Sequence, residues 1–261
     1  MRKWWVRAIL PVVAAGWILS GSTARANDFY LRVGGSLERA EETRFKDKSC
    51  SSTSPAALYG CGTGNDGAPK STLGHFGTMA GFELGVGRLV TPALRLEAVL
   101  QHRPSFSFKG RANFVQTTAR QSVSADLSSF SGMIAGYVDL PRLGLRKFGP
   151  INPFIGGGAG LSRIAIGETR MEFPKTATIV PGGQRVGFAR MLTAGVGMEL
   201  TRTVALDLAY RYTNSGAAET GRGTGRIVWH DGSREPLELG LAETRARLSS
   251  QGIWVSLRYR F

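Results

Sequence analysis

The stretch Ile253-Trp254-Val255-Ser256-Leu257-Arg258-Tyr259-Arg260-Phe261 closes the chain and alternates without a break. Ile253, Val255, Leu257, Tyr259 and Phe261 share one parity. Gly252, Trp254, Ser256, Arg258 and Arg260 share the other. A repeat of two is the period of a β-strand, because successive side chains point to opposite faces.

Working back from this strand, the same pattern recurs. Leu206, Leu208, Tyr210 and Tyr212 oppose Asp207 and Arg211, while Leu192, Ala194, Val196, Met198 and Leu200 oppose Gly195, Gly197 and Glu199. Leu94, Leu96, Ala98 and Leu100 oppose Arg95, Glu97, Val99 and Gln101. Ala80, Phe82, Leu84 and Val86 oppose Gly81, Glu83 and Gly85, and Phe29, Leu31 and Val33 oppose Tyr30, Arg32 and Gly34. Two weaker segments run from Phe130 to Leu140, around Asp139, and from Pro153 to Ile166, where glycines form the second face. The sum is eight strands. Short connections fall at Thr91-Pro92, Pro141 to Pro150 and Thr201 to Thr203. Long ones run from Glu42 to Phe76, Pro104 to Ser128, Gly167 to Val186 and Asn214 to Leu248. Four loops of that length are unusual in a compact soluble domain. Short turns at one end and long loops at the other predict an all-β, eight-stranded antiparallel up-and-down transmembrane β-barrel, with short periplasmic turns, four long extracellular loops and both termini periplasmic.

The residues opposite the apolar face support the membrane reading. They are glycines and isolated charges: Arg32, Glu83, Arg95, Glu97, Asp139, Glu199, Asp207, Arg211, Arg258 and Arg260. A soluble barrel turns a polar face rich in Lys, Glu, Ser and Thr to water. A narrow membrane barrel turns its apolar face to lipid and keeps small residues inside. The inward set holds five acids and five bases, so every buried charge has an available partner, as burial demands. Eight strands enclose a lumen that side chains can fill, which predicts a plugged interior.

Residues 1–26 read as a secretory signal peptide. Arg2, Lys3 and Arg7 precede an apolar run from Ala8 to Leu19, and Ala24-Arg25-Ala26 supplies a small-x-small cleavage site. Residues 27–261 are then the barrel. The chain has 261 residues with 33 Lys and Arg against 19 Asp and Glu, a formal charge of +14 that suggests nucleic acid. Four of those charges, Arg2, Lys3, Arg7 and Arg25, lie in the signal, and the rest are scattered. With 42% hydrophobic residues the chain is no disordered basic tail, and nucleic acid is not expected as a partner. Its 35 glycines follow no collagen period, and no apolar run reaches the length of a helical membrane span.

These segments resemble the outer-membrane β-barrel family that includes OmpA-type transmembrane domains and small opacity-type surface proteins. The resemblance rests on Phe29-Tyr30-Leu31-Arg32-Val33-Gly34, Leu94-Arg95-Leu96-Glu97, Pro153-Phe154-Ile155-Gly156-Gly157-Gly158-Ala159-Gly160 and the ending Val255 to Phe261. It implies a bacterial outer-membrane location. It also implies that Val255, Leu257, Tyr259 and Phe261 carry the signal read by the barrel-assembly machinery. No further domain is expected after residue 261, so cell-wall tethering is not part of the expectation.

Individual residues add narrower expectations. Cys50 and Cys61 lie in the first long loop and are expected to form a disulfide in an oxidising compartment; two cysteines are too few for a four-Cys zinc site. Arg163 and Arg190 fall in the outward register of neighbouring strands. If Pro153 faces Leu200 they sit side by side at the outer rim, suited to lipopolysaccharide phosphate. Phe29, Tyr210, Tyr212, Tyr259 and Phe261 suit the aromatic girdles of the membrane interfaces. His102-Arg103-Pro104-Ser105 and His230-Asp231-Gly232-Ser233 hold base and nucleophile types, yet neither has the His-x-Ser arrangement of lipid A deacylase barrels. The glycine-rich Gly62 to Gly67 lacks the strand-to-helix setting of a phosphate cradle. The leading expectation is a surface or structural protein without catalysis, cofactor or metal, whose loops meet the exterior. The alternatives are an outer-leaflet lipid-modifying enzyme and a narrow small-solute channel.

Overall fold

The computed structural model describes residues 28–115, 121–144 and 150–261. The signal-peptide expectation for residues 1–26 lies outside the described residues. Among the described residues fourteen strands follow one another: β1 (Phe29–Ala40), β2 (Glu42–Asp47), β3 (Thr72–His75), β4 (Thr78–Leu89), β5 (Leu94–Ala112), β6 (Gln121–Asp139), β7 (Ile151–Ile166), β8 (Thr169–Glu172), β9 (Thr176–Val180), β10 (Gly183–Glu199), β11 (Val204–Glu219), β12 (Gly223–Trp229), β13 (Leu237–Leu241) and β14 (Thr244–Arg260). Eight of them pair antiparallel in a ring, β1-β4-β5-β6-β7-β10-β11-β14, and β14 pairs back with β1 from Tyr30↔Arg260 to Ala40↔Ser250. The eight segments read from alternation are the eight ring strands.

The four long loops are a correction. β5 and β6 each run to 19 residues, well past Pro104 and Ser128; much of the other three long connections is strand, and the first, Glu42 to Phe76, carries strand at its two ends. β2 and β3 bridge β14 to β5 in the first connection. β8, β9, β12 and β13 form a small sheet attached to β6. The ring therefore continues as an outer lobe. Its physical basis is a set of aromatics that the lobe encloses. Phe45, Phe76, Phe106 and Phe108 meet edge to face, with centroids 4.8 Å apart for Phe45–Phe108 and 5.3 Å for Phe76–Phe108. Tyr59 stacks on Phe114 at 5.7 Å.

A bulge makes this core possible. The β5–β6 register shifts between Arg103 and Phe106. One extra residue reverses the parity, so Arg103 points inward and so do Phe106 and Phe108. Below the bulge, the outward face is a band of exposed apolar side chains, including Val33, Leu37, Leu84, Val86, Ile134, Ile155, Leu192, Leu208, Ile253 and Leu257.

Candidate functional site: the lumen and the outer wall

The ring holds its charges in tiers. Nearest the short turns, Arg95 pairs with Asp139 at 2.8 Å and Arg258 with Asp207 at 3.0 Å. Above them Arg32 bridges Glu97 at 2.5 Å and Glu83 at 2.9 Å, and donates to the Tyr137 hydroxyl at 2.7 Å. The Tyr30 hydroxyl donates to Glu97 at 2.9 Å. Glu83 also accepts from Arg211 and from Gln101. The Arg211 guanidinium lies over the Trp254 ring, 4.3 Å from its centroid. A third tier joins Arg103 to Glu38 at 2.9 Å, where Ser250 and Ser36 also donate to the carboxylate. Glycines make the room. A Cβ at Gly85 would collide with the Glu97 carboxylate, and one at Gly87 with the Tyr30 ring.

Eight of the ten residues read as inward charges meet in these pairs: Arg32, Glu83, Arg95, Glu97, Asp139, Asp207, Arg211 and Arg258. Glu199 and Arg260 do not. They sit at the short-turn rim and line a polar vestibule of about 370 Å³ with Asp28, Arg142 and Asn152. Glu38 and Arg103 were missed. Their signal was parity: Glu38 continues the register of Arg32, and Arg103 that of Arg95. The paired set is again five acids and five bases.

Cys50 and Cys61 form a disulfide with Cα atoms 4.8 Å apart. Beside it Asp47 accepts the backbone N–H groups of Leu58, Tyr59 and Gly60. Burial raises the Asp47 pKa above the ordinary aspartate value, and those three hydrogen bonds oppose the rise. Val255, Leu257, Tyr259 and Phe261 all face outward and are about half exposed.

Arg163 and Arg190 are exposed, but they are not side by side. Pro153 pairs with Val196 rather than Leu200, so Arg163 faces Val186 and Arg190 faces Ala159. The two lie four register positions apart, about 13 Å along the strands. Arg163 donates instead to Gln184. The slide from the expected pairing is an even number of residues, so it leaves both side chains on the outward face.

The histidines are scattered. His102 is on the outer wall, with Nδ1 3.3 Å from the Ser129 carbonyl, while its neighbour Arg103 points into the lumen. His230 Nε2 lies 3.0 Å from Glu172 in the outer lobe. The Arg170 hydrogen bond holds the Glu172 pKa below the usual glutamate value, with His230 adding to it. Among the described residues no three His, Cys, Asp or Glu side chains gather as a metal site.

No family model matches the chain. Uncharacterized proteins of Brucella abortus (strain 2308) and Brucella suis biovar 1 (strain 1330) are 30% identical over 154 residues, which is 51% of this chain and 50% of each relative. The chain thus spans about half the length of the curated relatives it matches. Among solved structures, the outer membrane protease OmpT from Escherichia coli matches with a TM-score of 0.54 at 8% identity, over 93% of this chain and 99% of that one. The outer membrane protein OprG from Pseudomonas aeruginosa matches with a TM-score of 0.49 at 11% identity, over 91% and 98%. The likeness to OmpT, at that identity, is one of fold alone.

Proposed function

We propose that the chain is a bacterial outer-membrane surface protein in which the barrel anchors and the outer lobe meets the exterior. One observation carries this reading: the ring is inverted relative to a water-soluble barrel. Its outward face below the bulge is a continuous apolar band, and its inward face holds the paired charges. Lipid rewards that arrangement and water does not. In lipid, every ring strand also needs two paired neighbours, as the ring provides.

In this reading both termini and the short turns are periplasmic, and residues 1–26 are removed on export. The outward Val255, Leu257, Tyr259 and Phe261 are read by the assembly machinery. Arg163 and Arg190, four register positions apart on neighbouring strands, contact lipopolysaccharide separately rather than as a clamp. Specificity for an external ligand resides in the outer lobe, because a barrel does not itself set function. The buried ion pairs that span the lumen favour anchoring over conduction. Nucleic acid is not a partner.

The test is gel migration of the outer-membrane fraction with and without boiling. The folded chain should run ahead of the boiled one. A chain that is absent from that fraction, or that does not shift, overturns the reading. Planar-bilayer recording should show little steady current.

A further inference from the structure

On one side of the outer lobe the fold presents charge that its own stability does not need. β2 and β14 pair at Thr244↔Asp47 and Arg245↔Lys46. Nearer the lipid-facing band the wall is joined again, where the Glu41 N–H donates to the Ser249 carbonyl at 2.9 Å. Between these points the strands bound a groove of about 820 Å³, lined among others by Glu41, Glu42, Arg44, Lys46, Arg245 and Arg247. The period of two places Arg44, Lys46, Arg245 and Arg247 on the outward face, and all four are exposed.

Lys46 lies directly across from Arg245, a pairing of like charges that destabilises a sheet. Among the described residues none of the four forms an ion pair. The acid across from Arg245 on β11, Glu219, is occupied by Arg185 and Lys48. Glu41 and Glu42 stand at the membrane-proximal end, so the far end of the groove is cationic. Neighbouring strands extend the charge: Arg111 lies across from Leu73, and Lys109 across from His75.

We propose that this groove binds the phosphorylated saccharide headgroup of an outer-leaflet glycolipid. The inference rests on the outer-membrane reading, because the groove opens sideways just beyond the apolar band and therefore faces the headgroup layer. Arginine forks match phosphate oxygens in pairs, and an anion between Lys46 and Arg245 turns their repulsion into attraction.

The experiment titrates the refolded full chain in detergent with purified lipopolysaccharide and with the same material stripped of phosphate. Wild type should bind the stripped form about tenfold more weakly, the equivalent of one charged hydrogen bond lost. Lys46→Gln/Arg245→Gln/Arg247→Gln should bind the intact form several-fold more weakly than wild type does, which removes most of the difference between the two forms. Heat-modifiable migration confirms that this variant folds. Equal binding of both forms by wild type overturns the proposal, and so does a folded variant that binds like wild type. Absence of the chain from the outer-membrane fraction would instead overturn the membrane reading, which the titration does not address.

Discussion

The lumen and the outer lobe are two interiors of one chain, and they differ in what fills them: the lumen sets paired charges among apolar side chains such as Val99, Met133 and Trp254, whereas the lobe core is aromatic and aliphatic. In the lumen, Arg32, Glu83, Glu97 and Arg211 are almost fully buried and form one connected ionic network. In the lobe, the enclosed volume belongs to Phe45, Phe76, Phe106 and Phe108 with Met79, Leu127, Ile164 and Met171. Charges bury well only with their partners, so the lumen is specific about identity. Apolar side chains bury well wherever the volume is filled, so the lobe is specific about size. The bulge at Arg103/Phe106 is the boundary between the two.

This contrast can be broken most severely at Glu83. Glu83→Ala removes the carboxylate shared by Arg32 and Arg211 and should cost about 5 kcal/mol, read from the urea midpoint of the refolded barrel. Glu83→Gln keeps the size and should recover less than half of that. In the lobe, Phe108→Ala should cost about 4 kcal/mol, whereas Phe108→Leu should cost less than about 1.5 kcal/mol. A size-conserving change that rescues Glu83 as well as it rescues Phe108 would erase the distinction.

Smaller effects sharpen it. Cys50→Ser/Cys61→Ser frees a short loop and should cost about 2–3 kcal/mol, confined to the lobe. Proteolysis should then cut near the loop while the ring strands stay protected. The smallest effect is at Glu172, which is partly exposed. Its lowered pKa means that the Arg170 contact contributes above the usual glutamate range and is lost as pH falls through the folded value. Melting should change by less than about 1 kcal/mol, and Glu172→Gln should abolish that pH dependence.

The sequence made faces legible and left slides hidden. A period of two assigned Arg32, Glu97 and Arg211 inward and Val255 and Leu257 outward, because parity is local. It could not place Pro153 opposite Val196, since any even slide preserves every face. Glu38 and Arg103 were within reach, on strands whose alternation runs past the lipid-facing span. The lobe core was not. Phe45, Phe76 and Phe108 are far apart in the chain, and a bulge that alternation does not announce turns Phe106 and Phe108 inward. The Lys46–Arg245 contact likewise exists only through the register of β2 with β14.

The central claim is that the apolar parity faces lipid and the charged parity faces the lumen. Single nitroxide labels at residues 253 to 258, read for oxygen accessibility in reconstituted bilayers, test it directly. The account predicts high accessibility at 253, 255 and 257 and low accessibility at 254, 256 and 258. An inverted alternation, or none, would contradict it.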